Sequence, residues 1–148
     1  MLSWLFAALH LLALGIGLGA VWARGRALRG QLDEAGLRRA FAADAWWGIA
    51  ALLWIGTGLV RAFGGLEKGS AYYLHNHLFW TKMALLAVIL VLELGPMISL
   101  NRWRAAIRRG ERPDTAAASR FARISYVQAC LVVLMVLAAT GLARGYGL

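Results

Sequence analysis

The sequence predicts an all-α integral membrane protein, a four-helix bundle that forms one transmembrane domain over residues 1–148. Two observations carry this prediction. The first is composition: 61% of the residues are hydrophobic and seven are Trp, whereas soluble domains usually have about 45 to 50% apolar residues. The second is that the apolar residues form four runs, each with about the ~20 residues that cross a bilayer core. The spans are expected at about residues 2–22, 43–63, 78–100 and 121–142.

The four runs differ in the polar residues that they contain. The first, Leu2 to Trp22, has no charged residue. It therefore lacks the basic start of a secretory signal peptide, and we expect it to remain as a span. The second run continues through Arg61, the third contains Lys82 and Glu93, and the fourth contains Gln128.

The loops between the runs predict the orientation of the bundle. Segment 23–43 has five Arg and segment 101–120 has six, whereas segment 64–77 has only Lys68 and Glu67 as charged residues. Because positively charged loops tend to stay on the cytoplasmic side, both basic loops are predicted to be cytoplasmic and both termini to lie outside. The bias towards Ala, Arg and Leu is typical of GC-rich bacteria, so the expected location is the bacterial inner membrane.

Two helices are predicted to begin within the basic loops. Asp33 and Glu34 are typical of a helix start, where a side-chain oxygen accepts hydrogen bonds from free backbone N–H groups. Pro113, Asp114 and Thr115 precede a run of alanines and give the same signal for the last helix. Both starts are structural predictions and imply no function.

Composition also limits the classes of partner. A net charge of +9 would suggest nucleic acid in a soluble protein, but here the basic residues lie between apolar runs, so nucleic acid is not expected. The expected partners are membrane lipids and either a second copy or another membrane protein. The G-x-x-x-G of Gly15 and Gly19 is consistent with packing inside the bundle or with an interface to such a partner. The lone Cys130 excludes an internal disulfide and a cysteine-built metal centre.

Faces of small residues indicate which sides of the helices are buried, because transmembrane helices pack through such residues. His10 shares a face with Gly17 on the first helix. On the second helix, Trp54, Thr57 and Arg61 align.

The third helix places two opposite charges on one face. Lys82 and Glu93 are eleven residues apart, which at about 100° per residue is close to a whole number of turns. Glu93 and Asp44 are expected in the cytoplasmic half of the bundle.

The outer half is where the remaining candidates are expected to converge. A helical rise of about 1.5 Å per residue places His10 roughly 10 Å and Lys82 roughly 6 Å below the outer surface. Arg61 ends the second helix near that surface. His75 or His77 would join them from the mouth of the third helix.

These residues are functional candidates because an ionisable side chain at the bilayer centre costs at least ~2.5 kcal/mol. Each also has a simpler interpretation. Arg61 and Lys82 can extend to the lipid headgroups. His10 can be a neutral imidazole that hydrogen bonds to backbone or to Gln128, and Glu93 can pair with an arginine near the cytoplasmic surface.

The chemistry that best fits a buried histidine in a helical bundle is axial ligation of haem b, with basic residues neutralising the propionates. His10 and Lys82 are the candidate catalytic residues. The candidate cofactor-binding residues are His10, Lys82, His75, His77, Arg61 and Trp54. The candidate metal ligands are His10, His75 and His77.

Four stretches resemble an uncharacterised family of four-helix bacterial membrane proteins: Leu9–Gly15, Arg61–Gly69, Tyr73–Asn76 and Phe79–Met83. A His in the first helix and a Lys early in the third are also distantly similar to small membrane protoporphyrinogen oxidases and copper-resistance D-type membrane proteins. In those oxidases both positions are functionally important and a b-type haem is bound. The resemblance therefore implies a role for His10 and Lys82.

The leading hypothesis is a haem-b membrane protein with a redox role, of which protoporphyrinogen oxidation is a narrower form. One alternative is metal-ion or small-solute handling, with Glu93 as a deeper relay. The other is an accessory membrane subunit without catalysis.

Overall fold

Four long helices and one short helix make up residues 2–65 and 70–147, the part of the chain that the computed structural model describes. The long helices are each long and apolar enough to cross a membrane, and no strand is found in these two ranges. The all-α four-helix prediction is thus confirmed, whereas Glu67 and Lys68 lie outside the described residues. The helices are α1 Leu2–Arg29, α2 Glu34–Phe63, α3 Ser70–Leu74, α4 His77–Arg108 and α5 Ala118–Ala143.

The long helices extend well beyond the predicted spans. They contain 28, 30, 32 and 26 residues, which corresponds to lengths of roughly 39 to 48 Å. A bilayer core is only about 30 Å thick. Because α1 continues past Trp22 to Arg29, Arg24 belongs to the helix and not to the loop.

The two predicted helix starts had different outcomes. The start at Glu34 is confirmed, because Asp33 caps α2 and its Oδ1 accepts a hydrogen bond from the Gly36 backbone N–H at 2.8 Å. The last helix also begins within its basic loop, at Ala118, but the predicted cap by Asp114 or Thr115 is wrong. Asp114 accepts instead from the Ala116 N–H in a preceding turn, and α5 begins at Ala118 without a side-chain cap.

Helix α1 packs against α2 and α5, and α4 packs against α5. The end of the bundle formed by Arg29, Glu34, Arg108 and Ala118 is called the basic end, and the opposite end is called the terminal end. Small residues allow the close contacts. A Cβ at Gly25 of α1 would lie 2.9 Å from the Tyr126 ring of α5. The backbone of α1 therefore packs directly against this ring.

The outward faces of the long helices are strongly apolar. Leu52 is 75% exposed, Trp4 72% and Val91 67%. A soluble protein rarely exposes so large a continuous apolar surface, whereas lipid covers such a surface without cost. The chain is therefore a multi-pass membrane protein.

Candidate functional site

A polar triad of His10, Trp54 and Thr57 lies in the half of the bundle nearer the terminal end. His10 projects from α1, and its Nδ1 is 3.0 Å from the Thr57 hydroxyl. The indole N–H of Trp54 donates to His10 Nε2 at 3.1 Å. The ring approaches α2 closely at Gly58, where a Cβ would lie 3.1 Å from His10 Cε1. The imidazole is thus held at both nitrogens.

The triad determines which nitrogen of His10 carries the proton. An indole N–H can only donate, so Nε2 must present its lone pair to Trp54. The Thr57 hydroxyl donates to the Leu53 carbonyl at 2.6 Å, so its oxygen accepts from Nδ1–H. The contacts therefore require a neutral imidazole protonated at Nδ1. His10 was expected to bond to backbone or Gln128; its partners are instead two side chains of α2.

His75 and His77 lie exposed at the terminal end. His75 Nδ1 is 2.8 Å from the Ala71 carbonyl, within its own short segment. The backbone N–H of His77 donates to the Gly147 carbonyl at 2.9 Å, which ties the start of α4 to the C-terminal segment. Both histidines thus lie at the mouth of the bundle and hydrogen bond to nearby backbone carbonyl groups.

Arg61 and Lys82 are half-buried on α2 and α4. Their convergence with His10 stays a prediction. No group of three or more His, Cys, Asp or Glu side chains placed to hold a metal ion is found in residues 2–65 and 70–147.

A second polar group, the Arg24 cluster, lies nearer the basic end and involves all four long helices. Arg24 is completely buried, and two carboxylates face its guanidinium. Nη1 donates to Glu93 Oε1 at 2.7 Å and Nη2 to Glu93 Oε2 at 2.9 Å, which makes a bidentate pair. Nη1 also donates to Asp44 Oδ1 at 2.8 Å. The cluster comprises Arg24, Asp44, Trp47, Glu93, Arg104, Ser125 and Gln128.

The remaining two donors of Arg24 are bound by α5. Nε donates to Ser125 Oγ at 3.0 Å and Nη2 to Gln128 Oε1 at 2.8 Å. A guanidinium has five N–H donors, and each of them here has its own acceptor. The desolvation cost of burying this charge is therefore offset as completely as protein groups allow.

The two carboxylates also have further partners. Glu93 Oε2 accepts from the indole of Trp47 at 3.0 Å and from the Gln128 amide at 2.8 Å. Asp44 Oδ2 accepts from Arg104 Nη2 at 2.8 Å. The charges of the two arginines and the two carboxylates therefore cancel. The hydrogen bond between Asp44 and Arg104 also joins α2 to α4.

Sequence analysis missed Arg24 because it was counted among the loop charges. The signal was nevertheless present: Arg24 follows Gly17 and Ala20 in the same three-four spacing that carries His10. The expectation that Glu93 pairs with an arginine is confirmed by its contact with Arg24.

An apolar contact region formed by α1, α2 and α5 lies between the triad and the Arg24 cluster, with Trp54 and Trp47 both on its wall. It leaves no space even for a water molecule, whereas ligand pockets usually measure roughly 300 to 1,000 Å³. A ligand therefore does not fit there while both indoles stay in place. His10 and Arg24 are fourteen residues apart on α1, roughly 21 Å along the axis.

Comparisons with known proteins identify a family of membrane proteins. The model of one family, described as a predicted membrane protein (DUF2214), matches residues 2–147. No curated protein and no solved structure matches the chain.

Proposed function

Because the chain belongs to the DUF2214 family of predicted membrane proteins, its function must be inferred from its own residues, and we propose that it is a haem-b-binding membrane protein with a redox role. The observation that carries this proposal is the pair of hydrogen bonds that hold the two ring nitrogens of His10. Its Nδ1–H is held by Thr57, and its Nε2 lone pair is oriented. Metal-ligating histidines generally have this arrangement, with the second nitrogen fixed by a hydrogen bond.

Trp54 is the group that competes with iron for His10 Nε2. Its indole N–H occupies the lone pair at 3.1 Å, and its ring also lines the apolar contact region. One rotation of this side chain would therefore both free the ligating nitrogen and open a space beside it. His10 would then hold the haem iron through Nε2. Haem b would supply one-electron redox chemistry there.

Arg61 and Lys82 are the residues that would neutralise the haem propionates. Arg61 lies one helical turn beyond Thr57, on the same face of α2. Both side chains are half-buried in the half of the bundle that holds His10. The narrower activity, oxidation of protoporphyrinogen, would be tested by rescue of a bacterial strain that lacks this step.

The test is the absorption spectrum of protein purified after expression with added haem. We expect a Soret band that falls at least about tenfold in His10→Ala, because this variant lacks the side chain that would hold the iron. In Trp54→Phe the haem affinity should rise roughly fivefold, because one hydrogen bond of about 1 kcal/mol no longer competes for Nε2.

Trp47→Phe is the matched control, since it makes the same change at the other core indole, whose partner is Glu93. Its Soret band should equal that of the unmodified protein. A Soret band that is absent from every variant, or one that His10→Ala leaves intact, would refute the proposal.

A second candidate function, the handling of a small carboxylate solute, is favoured by the Arg24 cluster. The Arg24 guanidinium already holds a carboxylate in a bidentate pair inside the bundle, and the Glu93 side chain is 19% exposed. A solute carboxylate could exchange with that of Glu93 once Glu93 takes up a proton. Such an exchange would couple solute binding to protonation.

Uptake of labelled acetate into proteoliposomes tests this second candidate. We expect Glu93→Gln to remove the pH dependence of uptake, because an amide resembles the protonated carboxyl that releases Arg24 but cannot itself take up or lose a proton. Glu111→Gln, which alters an exposed loop carboxylate, should leave uptake unchanged. The same pH dependence of uptake in both variants would refute a role for the cluster in transport.

A further inference from the structure

A groove of about 700 Å³ runs between α1 and α2 near the basic end of the bundle. Its floor is made of small side chains, among them Gly19 and Ala23 of α1 and Ala42 and Ala43 of α2. A Cβ at Gly19 would meet no atom within 4 Å, so the groove is open at this point. Its volume lies in the range of binding pockets for small molecules.

Two arginines stand on opposite walls of this groove. Arg26 projects from α1 and Arg39 from α2, and both are exposed. No ion pair joins either of them to another of the described residues, and no carboxylate lines the groove. Arg24, only two residues from Arg26, shows the contrast, because its charge is balanced within the protein. The groove therefore has a net positive charge that an anion would neutralise.

The polarity of the groove changes along its length. The arginines lie at one end, whereas Ile16 and the exposed indole of Trp46 lie towards the other. Ile16 and Arg26 are ten residues apart on α1, which is roughly 15 Å. A ligand that fits must therefore have an anionic head and an apolar tail. A membrane phospholipid has this form.

We propose that the groove binds one anionic phospholipid, with its phosphate between Arg26 and Arg39 and an acyl chain along Gly19 and Trp46. Arginine suits this role because its planar donors match phosphate oxygens. Basic pockets between transmembrane helices are a known means of headgroup recognition. A second copy of the chain is a poorer occupant, because two-fold packing on this face would bring four arginines together.

Native mass spectrometry of the protein released from nanodiscs tests the proposal. The nanodiscs contain phosphatidylcholine alone or a mixture with phosphatidylglycerol. We expect the protein to retain one phosphatidylglycerol, and the double variant Arg26→Ala/Arg39→Ala to retain it at least about tenfold less, given the contribution of each arginine near a headgroup. Gly19→Leu keeps both arginines and fills the groove, so it should also reduce retention.

The matched control is Arg102→Ala/Arg108→Ala, which removes the same charge from exposed positions at the same end of the bundle. Its lipid retention should not change. An equal loss of lipid retention in the two double variants would mean that the lipid is attracted only by the overall positive charge of this end, which would overturn the proposal. Detection of a protein dimer in place of a protein with bound lipid would overturn it as well. If inorganic phosphate alone displaced the lipid and Gly19→Leu retained as much lipid as the unmodified protein, the acyl chain would not contribute to binding, and that part of the proposal would be wrong.

Discussion

Replacing Arg24 with Met should lower the free energy of unfolding by about 3 to 5 kcal/mol, the usual cost of removing one partner from a buried ion pair. The loss is large because Glu93 and Asp44 stay behind in the bundle with fewer donors. Met retains most of the length and apolar volume of the arginine stem. The measurement is an SDS titration in mixed micelles, followed by helical circular dichroism.

The double variant Arg24→Met/Glu93→Gln separates the ion pair from simple packing. Removing both charges leaves no unpaired carboxylate at Glu93, so the double variant should unfold at a higher SDS fraction than the sum of the single changes predicts. Arg38→Met breaks an exposed ion pair with Glu34 and should have little effect. Strict additivity of Arg24→Met and Glu93→Gln would contradict the coupling that the geometry implies.

Gly36→Ala should destabilise the protein by about 1 to 3 kcal/mol, the typical cost of forcing an extra methyl group into a packed site. Gly36 is buried in the first turn of α2, where a Cβ would run into the backbone carbonyl oxygen of Gln31. Backbone cannot move aside as a flexible side chain can. The same SDS titration gives the value.

Gly48→Ala provides the control within the same helix. A Cβ at Gly48 meets no atom within 4 Å, and alanine in a helix interior is favoured over glycine by about 0.5 to 1 kcal/mol. This variant should therefore be slightly stabilised. If both substitutions shifted stability in the same direction, the clash at Gly36 would not be the cause.

The parts of the fold that could be predicted are those encoded within single segments. Hydropathy located the four spans, and the three-four spacing placed Trp54 and Thr57 on the buried face of α2, where they lie. The cap at Asp33 was also predicted, because its donor lies only three residues away. Each of these features depends on interactions within one helix or between the helix and lipid.

The partners of the buried polar groups could not be predicted in the same way. Arg24 binds residues that are 20 to 104 positions away along the chain. Periodicity shows which face of a helix is buried but not its height relative to its neighbours. The rule that basic residues mark cytoplasmic loops also misassigned Arg24, because the rule counts charge without knowing where a helix ends. His10 was placed correctly on an inward face, but Thr57 and Trp54 were not identified as its partners.

The order of synthesis gives the Arg24 cluster a consequence for biogenesis. Arg24 emerges from the ribosome first, and Asp44 can neutralise it as soon as α1 and α2 form a hairpin. Glu93 and Gln128 follow only with α4 and α5. Until then the guanidinium needs water or headgroups around it, so the hairpin must rest close to the membrane surface at its basic end. The arrival of the last two helices is therefore the event that seals this charge within the bundle.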